Sequence, residues 1–176
     1  MASFFRKSLG IRHLSCGSCN GCEHEMSALN NAYYDITRDG WDIVASPRHA
    51  DVITVTGPMT ETMRNASRDT IEATSRPCVV LGIGDCAAGK GPWAGASSAG
   101  GGAAIELFGG IVVRGCPPTP EDIRAGLKAA ASLLSRRKDS GAAGPRHPVE
   151  IQDEHSTAIL WEEPSPDGAS DEASSS

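Results

Sequence analysis

Apolar positions along the chain follow two alternating rhythms. Short aliphatic runs end in Gly, Pro or a polar cluster, and segments of helical period lie between them. Leu9, Ile11 and Leu14 make the first short β-like run, with Arg12 and His13 inside it. From residue 21 to about residue 34 the period becomes helical, with Met26, Leu29 and Tyr33 at i, i+3 and i+7 on one face. Glu23 and Glu25 occupy the first turn of that segment, where the helix dipole favours acids. Residues 41–45 predict a second strand. Residues 51–56, rich in β-branched side chains, predict a third, stopped by Gly57-Pro58. Thr60 predicts the N-cap of a helix to about residue 74, with Met63 where a full capping box has Glu or Gln. Pro77 opens a fourth strand over residues 78–83, and a Gly/Ala/Ser segment runs from Gly84 to about Ala104. Residues 111–113 predict a fifth strand, and Thr119 caps a helix to about residue 136.

Strands nearly continuous in apolar residues, alternating with helices, predict an α/β domain with a mostly parallel sheet covered on both faces. That domain takes residues 1–138. Residues 139–176 are rich in Gly, Pro, Ser, Ala and acid, and predict a disordered acidic tail that cannot bury enough apolar surface to fold alone. One apolar piece interrupts it, Ala158-Ile159-Leu160-Trp161, a candidate docking segment within an otherwise solubilising tail.

Charge changes the picture little. The chain has 16 basic and 22 acidic residues. Nine of the acids lie beyond Lys138, against the single base Arg146, so residues 1–138 hold 15 bases and 13 acids and are nearly neutral. No Lys/Arg cluster marks a nucleic-acid surface. The first residues, Met-Ala-Ser-Phe-Phe-Arg-Lys, show no signal-peptide core and no twin arginine. No apolar run nears the ~20 residues that span a bilayer. The expectation is a soluble, cytoplasmic protein. In a reducing compartment, six cysteines point to metal or redox chemistry more than to disulfides, the plain alternative being buried packing.

Three of the cysteines, Cys16, Cys19 and Cys22, crowd the loop after the first strand. Cys86 follows the fourth strand and Cys116 the fifth, whereas Cys78 lies at the opposite end of the fourth. Ligands of parallel sheets sit beyond the carboxyl ends of the strands, so three loops deliver thiols to one rim. Four thiolates hold either an iron–sulfur cluster or a structural zinc. Zinc ribbons use two close pairs. One pair plus two single cysteines suits a larger cluster enclosed from several sides, and the neighbouring Gly17, Gly84, Gly89 and Gly115 let backbone approach it. Spacing does not choose between Cys16 and Cys19. Glu25, three residues beyond Cys22, shares its helix side about 4.5 Å further along, as a carrier of protons or a solvent-facing first-turn acid. Gly84 to Lys90 matches G-x-x-x-x-G-K, but Gly91-Pro92 follows instead of a hydroxyl residue opening a helix, which argues against a phosphate-binding loop.

Four ordered motifs then carry a resemblance: Cys19-Asn20-Gly21-Cys22 with Glu25, Ser46-Pro47-Arg48-His49-Ala50-Asp51-Val52, Gly84-Asp85-Cys86-Ala87, and Gly115-Cys116-Pro117-Pro118. From about Leu9 to Ser135 the chain resembles the small iron–sulfur subunit of energy-converting (group 4) nickel–iron hydrogenases and the related 20 kDa subunit of NADH:quinone oxidoreductase, complex I. The resemblance implies a flavodoxin-like three-layer domain with one 4Fe–4S cluster on Cys19, Cys22, Cys86 and Cys116. It implies a proton-transfer role for Glu25 and places Arg48 and His49 near the cluster. The nickel–iron site would belong to a partner large subunit, related to the complex I 49 kDa subunit, with further iron–sulfur subunits and a peripheral place on the inner face of the cell membrane. Complex I members typically carry two adjacent cysteines in the first loop, so the C-x-x-C form favours the hydrogenase branch. The expected function is electron transfer in a hydrogenase-type oxidoreductase. The alternatives are a quinone-reducing complex I-type subunit and, of another class, a zinc-stabilised interaction module.

Overall fold

The structure is a computed structural model and describes residues 8–99, 104–140, 151–153 and 156–159. In chain order its elements are β1 (Leu9–Ser15), α1 (Gly21–Ala28), β2 (Trp41–Ile43), β3 (Val52–Thr56), α2 (Glu61–Glu72), β4 (Val79–Ile83), α3 (Ala104–Phe108), β5 (Ile111–Val113), α4 (Pro120–Ser140), β6 (Ile151–Asp153) and β7 (Ser156–Ile159). The sheet runs β2-β1-β3-β4-β5-β7-β6, with β1 to β5 mutually parallel. The five-strand order 2-1-3-4-5 is the flavodoxin-like winding, which reverses direction at β1/β3.

Strand alternation sorts the core into two layers. Leu9, Ile11, Val52, Leu81, Ile83, Ile111 and Val113 pack against Met26 and Leu29 of the α1 region and against Ile123, Leu127 and Leu134 of α4. Ile53, Val55, Val80 and Val112 face the other way, onto Ile71 of α2 and Ile105 of α3. Each fully buried Leu or Ile here stabilises the fold by about 1.5–3 kcal/mol relative to exposure. The expected three-layer α/β fold is the observed one.

Local chemistry shifts some boundaries. The first helix stops at Ala28, and close behind it Asn31 Oδ1 accepts from the backbone N–H groups of Tyr33 (2.8 Å) and Tyr34 (3.0 Å), forming a side-chain turn that competes with the helix. Met26 and Leu29 are buried, but Tyr33 is 80% exposed. At α4, Thr119 Oγ1 accepts from Asp122 N (3.2 Å) while Asp122 Oδ2 accepts from Thr119 N (3.3 Å). This is a reciprocal capping box with Asp in the third position.

The tail expectation meets structure in part. Helix α4 continues to Ser140. Two strands also fall inside the segment expected to be disordered. In them β7 pairs antiparallel with β5, Ile159 opposite Val112 and Ala158 opposite Val113, and β6 pairs with β7. The apolar piece of the tail thus adds its first half to the sheet. Apart from β6 and β7, residues 141–176, Leu160 and Trp161 included, lie outside the described residues.

Candidate metal centre

Because β1, β4 and β5 run parallel, the loops leaving them emerge on one rim. Cys16 N donates to Thr56 O (2.9 Å) and Thr60 N donates to Cys16 O (3.0 Å), which ties the exit of β1 to that of β3. The chain then turns through Gly17 and enters α1 at Gly21, leaving Cys19 exposed just before the helix and Cys22 half-buried in its first turn. Gly84 N donates to Val113 O and Asp85 N to Gly115 O, both at 2.8 Å, and these bonds draw the Cys86 loop against the Cys116 loop.

The thiols of Cys19, Cys22, Cys86 and Cys116 share one electrostatic neighbourhood. Burial, then the Glu23 charge, then the other three thiols push Cys22 up to about 12. Cys86 is likewise raised, first by burial and then by Cys116 and Cys19. Glycine leaves room for the sulfurs. A Cβ on Gly84, whose φ is +90°, would stand 2.6 Å from Cys22 Sγ, and one on Gly91 would press still closer on Cys86 Sγ. The other two cysteines point elsewhere. Cys16 is fully buried in the α2/α3 layer, its Sγ 3.6 Å from Ser67 Oγ. Cys78 is buried at the amino end of β4, where Arg76 Nη1 reaches its sulfur at 3.3 Å.

Two carboxylates with bonds to the ligand loops flank the rim, Glu23 and Asp85. Glu23 Oε1 accepts from Ser18 Oγ and from Thr56 Oγ1 (2.6 Å) and lies 3.7 Å from His13 Nε2. Burial would raise the Glu23 carboxyl, but hydrogen bonds, first from Ser18 and Thr56 and then from the backbone and Ser15, together outweigh it and hold the group below its ordinary range. Its second oxygen, Oε2, and His13 Nε2 are buried without a hydrogen-bond partner among the described residues. His13 itself is pushed down by burial, against the pull of Glu23. Asp85 Oδ1 accepts from Arg114 Nε (2.5 Å) and Gly115 N (3.2 Å), contacts that hold its carboxyl low in spite of burial. Glu25 is half-buried on α1, and its charge is among those felt by Tyr34.

Sequence reasoning passed over Glu23, Ser18, Thr56 and His13 as site residues. The signal was there in β3: Thr54 and Thr56 are two apart, so both hydroxyls face one side of the sheet, opposite His13 and Ser15 of β1. Threonine counts as β-branched strand material, which hid the polar half of the side chain. Arg48 and His49 differ from expectation. The His49 carbonyl lies against Gly10 and the Arg48 carbonyl accepts from Ser75 Oγ, which places both backbones at the amino ends of the strands, away from the cysteine rim. From Asp85 to Gly89 the chain runs in turns, where a phosphate-binding loop would open a helix.

A four-thiolate cluster fits these residues. All four donors are cysteines, the glycines clear space beside two of the sulfurs, and the thiols come from three loops. Among the described residues no three His, Cys, Asp or Glu side chains are gathered closely enough to hold a single ion.

Residues 19–130 match the family described as NADH ubiquinone oxidoreductase, 20 Kd subunit. The chain belongs to this family. The matched span opens at Cys19 and contains Cys22, Cys86 and Cys116 while leaving Cys16 outside. The chain's relatives are subunits of oxidoreductase complexes. The probable membrane-bound hydrogenase subunit mbhJ of Pyrococcus furiosus is 34% identical over 77% of this chain and 81% of its own length. An NADH-quinone oxidoreductase subunit of Clostridium beijerinckii is 34% identical over 68% of this chain and 72% of its own. Among solved structures, a chain of the archaeal membrane-bound sulfane sulfur reductase superposes with a TM-score of 0.63 at 30% identity, covering 74% of this chain and 72% of that one. The nickel–iron–selenium hydrogenase of Desulfomicrobium baculatum shares the fold, with a TM-score of 0.52 at 18% identity over 76% of this chain and 65% of that one. No helix among the described residues is long and apolar enough to cross a membrane.

Proposed function

We propose that this chain carries one 4Fe–4S cluster on Cys19, Cys22, Cys86 and Cys116 and transfers electrons within a membrane-associated nickel–iron hydrogenase-type complex. The observation that carries the reading is the convergence of four thiols from three loops on one rim, within a family of oxidoreductase subunits. One close cysteine pair and two single cysteines, delivered by three loops, support a cluster over a lone zinc, which ribbons hold with two close pairs. Once bound, the cluster supplies one-electron transfer. The protein's own work is positional. Asp85 and Arg114 hold the two distant ligand loops together, Glu23 holds the first loop against β3, and the two apolar layers keep water from the inner side of the site. Glu25 is the candidate to move a proton near the cluster from its place on α1. A Glu25→Gln change that lowers turnover of the complex and leaves the cluster signal intact is the result this role requires.

The C-x-x-C loop favours a hydrogenase-type partner large subunit bearing the nickel–iron site, reached together with further iron–sulfur subunits on the cytoplasmic face of the membrane. A second reading, a complex I-type subunit helping to reduce quinone, draws on the equal identity to the Clostridium oxidoreductase subunit. The deciding experiment is anaerobic purification of the chain with whatever subunits accompany it. About four irons and four sulfides per chain and a reduced-state EPR signal are required by either reading. Hydrogen-dependent dye reduction by the complex selects the first, and quinone reduction without it selects the second. One zinc and no iron would overturn both and leave an interaction module.

A further inference from the structure

The rim holds a carboxylate that no ligand or proton role accounts for. Glu23 follows Cys22 directly, and hydrogen bonds from two different segments, Ser18 in the ligand loop and Thr56 at the end of β3, converge on one of its oxygens. His13 of β1 approaches the same oxygen at 3.7 Å. The second oxygen is buried and has no hydrogen-bond partner among the described residues. Fixing a negative charge in a half-buried site costs desolvation, and two hydroxyl donors offset that cost. They also deny the carboxylate the freedom to swing into water, where solvent would screen its field.

We infer that Glu23 is a positioning residue whose fixed negative charge lowers the reduction potential of the cluster held through Cys22. The inference rests on the cluster reading above. Glu23 adjoins Cys22, and its carboxylate accepts from Ser18, the residue before Cys19, so its charge is held between the two thiols of the first loop. An electron arriving on a cluster bonded to those sulfurs meets the repulsion of that charge. Asp85, the other carboxylate of the rim, has its charge matched at 2.5 Å by Arg114. Glu25 lies two residues further along α1. Glu23, held by hydroxyls with only His13 nearby, whose charged form burial disfavours, is therefore the rim carboxylate with the less matched charge.

The test uses the full chain, anaerobically loaded with iron and sulfide, with the midpoint potential read by EPR-monitored redox titration. Glu23→Gln keeps the shape and a carbonyl acceptor for Ser18 and Thr56 but removes the charge. It should shift the reduced-to-oxidised ratio at fixed potential about tenfold towards reduced, about 59 mV for one electron. Glu23→Ala should move it the same way, Glu23→Asp should stay near wild type, and Glu25→Gln should shift it less than Glu23→Gln. A loaded Glu23→Gln or Glu23→Ala protein that titrates at the wild-type potential overturns the inference. So does an Asp variant that shifts as far as Gln. If neither uncharged variant holds iron while Asp does, the carboxylate serves assembly and the inference also fails. Absence of iron or of an EPR signal in the wild type would instead remove the cluster reading itself.

Discussion

The two halves of the cysteine rim are built by opposite means. Cys19 and Cys22 lie on one loop and the first turn of one helix, so chain continuity already holds them together, and the Glu23 carboxylate needs only to pin that loop to β3. Cys86 and Cys116 are far apart in sequence and meet only because β4 and β5 are neighbours and Asp85 bonds across to Arg114 and Gly115. One half uses local geometry and leaves a carboxylate without a matched cation. The other uses a long-range ion pair, and its charges cancel. Both carboxylates hold a loop of the cysteine rim, and they differ in whether an arginine matches their charge.

The difference can be broken from either side. Cys86→Ser should have the largest effect, because a cluster reduced to three thiolates on a partly exposed rim should be lost; iron content after anaerobic loading measures it. Asp85→Ala should follow. Removing the acceptor leaves the Arg114 guanidinium and the Gly115 N–H without this partner and costs about 2 kcal/mol in denaturant unfolding. It should also lower iron loading further than Ser18→Ala does, since the Asp85 carboxylate bridges loops that are distant in sequence. Thr56→Val takes one donor from Glu23 and costs about 1–2 kcal/mol with the cluster retained. Cys16→Ser, next to the Ser67 hydroxyl, should cost about 1 kcal/mol and leave iron content unchanged; loss of iron would move the first ligand back to Cys16. The smallest effect is a pH slope. Burial lowers His13 against the Glu23 carboxylate, with Arg12 also lowering it. A histidine held below its ordinary value contributes stability above pH ~6.5 that is lost as pH falls through its folded value. Unfolding midpoints between pH 7 and pH 5 should show a shallow decline that His13→Gln flattens.

Periodicity made the fold legible. The strand cores Leu9 to Leu14, Val52 to Thr56 and Ile111 to Val113 read directly as buried runs, and Thr119 marked the start of α4. What escaped was local competition. Asn31 builds a turn behind α1 through its own side chain, which no apolar spacing encodes. The short α3 at Ala104–Phe108 follows a stretch whose Gly and Ser content signals a loop. The pairing of β7 with β5 lay in a segment whose composition argued against structure. At the site, the cysteine positions were legible because thiols are rare and their chemistry narrow. The carboxylates were not. Glu23 and Glu25 are equivalent in a one-dimensional reading of a helix start. Only the register of β3 against β1, which sets Thr56 opposite Ser15, shows which of them meets the sheet.

Both apolar layers of the sheet are assembled almost without the four rim thiols, of which only Cys22 touches either one. The burial that holds the fold together therefore owes little to whatever those thiols bind, and the rim can change its chemistry without the scaffold being rebuilt.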